Sequence, residues 1–265
     1  MIPSDTSATT PTNTSFDNSA VVEPSHNRHR RYKYYDFVMV GFVVVLLCSN
    51  LIGPGKACVW DLSWIPVIGG VLVFGAGNLF FPISYIFGDI LTEVYGYARA
   101  RKVIWAGFGA MLFASIMAYF VVNVTPAPNE PFNDVLQPAL EVVFGNTYRI
   151  VIASIMAFWA GDFVNAFILA KMKIWTQGKY LWTRTIGSTL GGQSVDSLIF
   201  YPLAFYGIWE GKTLIAVILF NCFFKIIVEV VMTPLTYMVV GFLKKQEHED
   251  FYDTDTDFTP FSIKD

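Results

Sequence analysis

Six apolar stretches dominate this chain, near residues 35–53, 63–88, 103–124, 148–171, 184–207 and 213–242. Each is long enough for a helix to cross a hydrocarbon layer about 30 Å thick, which takes about 20 residues. In lipid a spanning segment must satisfy its own backbone N–H and C=O groups, so open strands are excluded and helices are expected. The fold class predicted is an all-α membrane protein, a six-transmembrane-helix bundle over residues 35–245. Composition supports lipid as the solvent. Of 265 residues, 54% are hydrophobic and only 15% charged, whereas soluble domains carry about 25% charged residues.

The flanks read differently. Residues 1–34 are rich in Ser, Thr, Asn and Pro and are expected to form a disordered tail. The apolar run begins too late for a secretory signal peptide. Residues 246–265 are acidic and polar, and a second disordered tail is expected there. The proline-broken "TPAPNEPFNDVLQPALEVVFGN" predicts an outer loop with a short interfacial helix around Asp134–Phe144. Basic residues set the orientation. Arg28, Arg30, Arg31, Lys33, Arg99, Arg101, Lys102, Lys171, Lys173, Lys179, Arg184, Lys244 and Lys245 fall on one side, against Lys56, Arg149 and Lys212 on the other. The positive-inside rule then places both termini in the cytoplasm, as an even number of spans requires.

Ionisable groups inside apolar spans are costly, and their default reading is functional. Here they recur at spacings of three and four, which share one helix face. Tyr85, Asp89 and Glu93 form one such stripe. Phe158, Asp162 and Asn165 form a second, Thr189, Gln193 and Asp196 a third, and Asn221, Lys225 and Glu229 a fourth. Asn50 closes the first span. Each polar residue alone reads as a contact between helices, and Lys225 with Glu229 reads as a pair that neutralises itself. Four stripes together predict a shared polar cavity. The spacing of Gly187 and Gly191 predicts close helix approach. Pro82 predicts a kink or break just before Asp89.

Carboxylates, amides and aromatic faces suit a flat, hydrogen-bonding solute. A carboxylate accepts two parallel donors, an amide serves a neighbouring carbonyl, and aromatic rings stack on the faces. A phosphorylated ligand is disfavoured, since only Lys225 lies mid-span. The net charge of −3 gives no sign of a nucleic-acid partner. Cys48, Cys58 and Cys222 lie far apart, and the histidines fall in the polar tails, so no metal and no cofactor are expected. Free buried thiols are the default.

Two longer stretches carry a resemblance. "FPISYIFGDILTEVYGYARARKVIWAGF" and "LWTRTIGSTLGGQSVDSLIF" are similar to signatures of the queuosine precursor transporter family, also called the vitamin uptake transporter family. "SNLIGPGKA" is a weaker third match. The resemblance covers residues 36–243 and implies a bacterial inner-membrane, multi-pass importer of 7-cyano-7-deazaguanine or 7-aminomethyl-7-deazaguanine for salvage into queuosine in tRNA. It implies a small-molecule 7-deazaguanine partner within a lipid bilayer, and leaves open whether the chain forms a homo-oligomer. Asp89 and Glu93 fall in the first motif, and Arg184, Ser188, Gln193 and Asp196 in the second. The chain has no nucleotide-binding motif, so proton-coupled secondary transport is expected rather than enzymatic activity. The rivals are a membrane subunit of an ATP-driven vitamin importer, an intramembrane aspartyl protease built on the Gly-Asp pairs at Asp89 and Asp162, and a channel.

Overall fold

The computed structural model describes residues 32–52, 57–61, 71–75, 80–144, 148–207 and 211–262. Of the tail 1–34 expected to be disordered, residues 1–31 lie outside them, whereas Tyr32–Tyr34 are ordered by hydrogen bonds to Glu249 and Glu247. Helices make up most of the described chain: α1 (Tyr35–Leu51), α2 (Phe81–Ile90), α3 (Tyr97–Asn123), α4 (Asn133–Phe144), α5 (Tyr148–Trp175), α6 (Leu181–Phe205) and α7 (Gly211–Glu247). A hairpin of β1 (Ala57–Asp61) and β2 (Val71–Gly75) interrupts them, antiparallel, with Ala57 opposite Gly75 and Asp61 opposite Val71. The fold is therefore mainly α rather than wholly α.

Among the described residues, three helical segments are long and apolar enough to cross a membrane: Tyr97–Asn123, Val151–Trp175 and Asn221–Glu247. α1 is apolar but has only 17 residues. α6 has 25 residues, with Arg184, Ser188, Gln193 and Asp196 lowering its hydropathy.

The expected second span, 63–88, does not form one helix. Its strand at Val71–Gly75 precedes α2, and Leu91–Tyr95 then continues as a π-helical turn. Pro82 plays a different part from the one its sequence position suggests. It sits in the first turn of α2, where its missing N–H would have no helical partner in any case, so it starts the helix instead of kinking it. The π turn ends at Gly96, whose φ of +88° lies in the left-handed region that favours glycine.

Phe42 and Leu46 of α1, Leu91, Val94 and Tyr95, Val103 of α3 and Ala170 of α5 are almost fully buried in one core. α5 and α6 pack backbone to backbone. A Cβ on Gly161 would stand 3.1 Å from the Gly192 carbonyl, and one on Gly192 would stand 2.8 Å from the Gly161 carbonyl. Gly187 and Gly191 face Met172 and Ile168 side chains instead. Phe113, Met117 and Phe120 of α3 and Leu219, Phe223, Val231 and Met238 of α7 are exposed. Such a broad apolar surface fits a lipid environment.

α4 matches the expected short helix. None of its residues is buried, and Val135, Leu136, Val142 and Val143 lie on one exposed stripe. The last residues depart from the expected disorder. α7 runs to Glu247, and residues 248–262 fold back along the helices. Glu247 accepts hydrogen bonds from the Lys33 and Tyr34 N–H groups at the start of α1, at 3.0 and 2.7 Å. Both Asp253 carboxylate oxygens lie 3.1 Å from the Tyr97 N–H at the start of α3. Carboxylates at helix N-termini satisfy orphan N–H groups and complement the helix dipole.

Candidate functional site

The polar stripes of α2, α5, α6 and α7 meet inside the bundle. Asp89 is fully buried, and Asn165 Nδ2 donates to its Oδ1 at 3.0 Å. Glu229 adjoins Asp89 from α7 and is almost fully buried too. Among the described residues, none donates to Asp89 Oδ2, Glu229 Oε1 or Asn165 Oδ1, and the same holds for Glu93 Oε2. A buried polar atom left in this state costs about 1–3 kcal/mol. As carboxylates, Asp89 and Glu229 can accept but not donate, so a proton or an incoming N–H is needed to complete them.

A small cavity opens beside this cluster, lined among others by Ser84, Tyr85, Gly88, Thr92, Asp162 and Asn165. Its volume is about 10 Å³, room for about one water. A second polar group forms its flank. The Tyr85 hydroxyl donates to Gln193 Oε1 at 3.0 Å. Lys225 Nζ pairs with Asp196 at 2.8 Å and stands 5.8 Å from the centre of the Tyr85 ring. Lys225 thus pairs with Asp196 on the neighbouring helix, not with Glu229 on its own.

Glu93 belongs to a different assembly. It is fully buried, and its Oε1 receives Arg184 at 2.7 Å and Lys244 at 2.6 Å, with Lys173 at 3.7 Å. Asp89 and Glu93 are one turn apart in sequence, yet Asp89 takes a neutral amide donor and Glu93 is ringed by cations. The π turn separates their roles by rotating Glu93 relative to a regular helix. Two residues expected at the site, Asn50 and Phe158, have partners outside these polar clusters. Asn50 bonds to the Leu46 carbonyl of its own helix at 2.8 Å and receives Ser154 at 3.5 Å. Phe158 packs on Phe42, ring centres 6.5 Å apart. Asn221 lies half-buried on α7, one turn before Lys225.

Ser84 and Thr92 line the cavity although the sequence reading passed over them. Thr92 shares the face of Tyr85 and Gly88 at helical spacing, so the periodicity that picked out Tyr85 could have found it. Lys173, Lys244 and Arg184 read as markers of orientation in the sequence. Their shared partner, Glu93, comes from a helix far away in the chain, and no local pattern signals that meeting.

A family profile described as "Putative vitamin uptake transporter" matches residues 75–239. The chain is 28% identical over 221 residues to a protein of Bacillus subtilis (strain 168) named "Probable queuosine precursor transporter", covering 80% of this chain and 95% of that one. It is 23% identical over 224 residues to the "Queuosine precursor transporter" of Escherichia coli (strain K12), covering 82% of this chain and 91% of that one. A protein of Haemophilus influenzae named like the first is 23% identical over 172 residues, covering 64% of this chain and 63% of that one. No solved structure matches the chain.

Proposed function

Since the chain belongs to the vitamin uptake transporter family, we propose that it carries a queuosine precursor, a 7-deazaguanine base, across a bacterial inner membrane. The relatives named above support the solute class. The observation that carries the binding site is the set of buried acceptors without donors: Asp89 Oδ2, Glu229 Oε1 and Asn165 Oδ1. A purine-like base offers ring N–H and exocyclic amine donors on one edge, and such donors suit this set. Tyr85 supplies an aromatic face, and Gln193 and Asp162 supply further polar contacts. Glu93, ringed by cations, holds the inner end of the site and does not contact the solute.

We read α1, α2 with the π turn, α3, α5, α6 and α7 as six helical passes, with both termini cytoplasmic. The second pass is incomplete as a helix. Its 15 residues from Phe81 to Tyr95 rise about 22 Å, short of a hydrocarbon layer of about 30 Å. A broken helix beside a polar site recurs in secondary transporters. The cavity is too small for a bicyclic base, so helices must part to admit one, as alternating access requires.

Proton coupling fits the same pair. Asp89 and Glu229 are adjacent and buried, with no cation partner among the described residues, and a proton shared between them when the solute leaves lowers the pair's charge from −2 to −1. The test is uptake of labelled 7-cyano- and 7-aminomethyl-7-deazaguanine into cells that cannot make them, with and without a protonophore. Wild-type uptake should collapse with the gradient, and Asp89→Asn and Glu229→Gln should not take up either base. Full uptake by both variants would remove the site, and uptake indifferent to the gradient would remove the coupling.

A further inference from the structure

Residues 248–262 have no helix or strand of their own, yet contacts along their length fall on residues 93–105, the joint between α2 and α3 and the first turns of α3. Lys173 Nζ binds the Glu93 carbonyl at 2.6 Å, the Asp250 carboxylate at 2.5 Å and the Phe251 carbonyl at 2.7 Å. The Phe251 N–H reaches the Val94 carbonyl at 3.5 Å. The Phe251 ring covers Gly96 so closely that a Cβ there would overlap it. Asp253 takes the Tyr97 N–H. Farther along, Arg101 donates to the Asp257 and Thr259 carbonyls at 2.7 and 2.9 Å, and Trp105 donates to the Pro260 carbonyl at 2.9 Å.

The joint is the irregular part of this helical pair. A π turn inside a helix often marks a functional position, and Gly96 with its positive φ is the point at which the chain turns. Residues 93–97 therefore form the natural hinge if α2 is to move against α3. Of the segment that grips this hinge, only Asp253 is buried, and the other residues are half-buried or exposed. Asp250 is 44% exposed at its side chain, and ion pairs at partly exposed groups are worth little. Burial alone would push the Asp250 carboxyl up, but Lys173 and Lys244 outweigh it and hold it below the usual carboxylate range. Two aromatic anchors complete the grip. Phe258 packs on Tyr97 and Phe167 at 5.0 and 5.4 Å between ring centres, and Phe261 packs on Trp105 and Trp159 at 5.9 and 5.8 Å.

We propose that residues 248–262 are a releasable latch: bound, it pins the α2–α3 joint and closes the tail-side end of the bundle, and its release lets that end open toward the Asp89 cavity. The role as a gate rests on the transport reading, but the latch itself is read by accessibility. The reporter is Thr92→Cys, fully buried and lining the cavity, in a protein whose three native cysteines are replaced by serine. A membrane-permeant maleimide probes it in the full chain, in Phe258→Ala with Phe261→Ala, and in a chain ending at Glu247. Labelling should accelerate by about tenfold or more in both altered proteins, as local opening becomes easier, with the melting transition of the double variant retained. Rates within about twofold of the full chain in the double variant would overturn the latch. Should the shortened chain lose its melting transition, the double variant decides alone. Failure of the full chain to transport any 7-deazaguanine would refute the transport reading and leave the labelling result standing.

Discussion

The crossing of α5 and α6 offers a sharp test of how the site is positioned. Gly192→Ala puts a Cβ 2.8 Å from both the Asn165 Cβ and the Gly161 carbonyl oxygen, and 3.3 Å from the Asn165 Cα. Ordinary contact begins at 3.4 Å, so the helices must separate by the difference between 3.4 and 2.8 Å, about 0.6 Å. The obstructing atoms are backbone and a Cβ, which cannot rotate away. Overpacking of this kind costs about 1–3 kcal/mol, and a rigid obstacle belongs at the upper end. The gain in helix propensity from Gly to Ala returns about 1 kcal/mol. The net loss is about 2 kcal/mol, or about 4–8 °C in melting temperature for a chain of this size. Gly109→Ala on α3 is the comparison, because nothing lies within 4 Å of its new Cβ. Thermal unfolding of the two purified variants in one detergent gives the difference directly. The displaced residue is also Asn165, which donates to Asp89 at 3.0 Å. Uptake by Gly192→Ala should fall by about tenfold or more, since a shift of under 1 Å at a positioning group is strongly felt. If Gly192→Ala melts with Gly109→Ala or above it, the close crossing does not exist and the reasoning fails.

Other outcomes follow from the charge clusters. Glu93→Gln leaves Lys173 and Lys244 with Asp250 as their remaining carboxylate and Arg184 with no carboxylate partner among the described residues, and losing one side of a buried ion-pair set costs about 3–5 kcal/mol. A melting temperature unchanged from wild type would show that Glu93 is not their common partner. Asp196→Asn, whose partner Lys225 is 15% exposed at its side chain, should cost less stability than Glu93→Gln, and unfolding in the same detergent ranks the two. Asp250 has its carboxyl held down in the folded state. Its contribution is therefore present above the unfolded-chain value of about 3.9 and is lost as pH falls through the lower folded value. The stability difference between wild type and Asp250→Asn should begin to shrink as pH falls below about 4 and close at lower pH, and a difference that did not shrink on acidification would contradict the ion pairs to Lys173 and Lys244.

Much of the site was legible because polar groups stand out against apolar spans. Helical spacing brought Tyr85 and Asp89 to one face, and Asp162 and Asn165 to another, and those faces do meet. The spacing failed at Glu93, because it assumes 3.6 residues per turn and the π turn at Leu91–Tyr95 departs from that period. It failed at Lys225 too, where the nearer partner in sequence, Glu229, turns to Asp89 and the lysine crosses to Asp196. The polarity of residues 248–262 suggested disorder. Their partners are lysines, an arginine and helix N-termini scattered through the chain, and no local property of the segment announces them.

What the sequence by itself determined is the solvent and the chemistry. Long apolar stretches require helices in lipid, because an unsatisfied backbone group there has no water to turn to, and buried carboxylates require partners wherever they end up. Only the tertiary structure decided which partners. Asp89 is left with an open acceptor, Glu93 is enclosed by three cations, Asp253 ties residues 248–262 to the start of α3, and Asp250 ties them to lysines of α5 and α7. The physical reason is that pairing depends on which helix faces come within about 3 Å of one another. That is set by backbone contacts such as Gly161 on Gly192, between residues 31 positions apart (192 − 161), and by the turn at Gly96, not by the identity of the charged residues themselves.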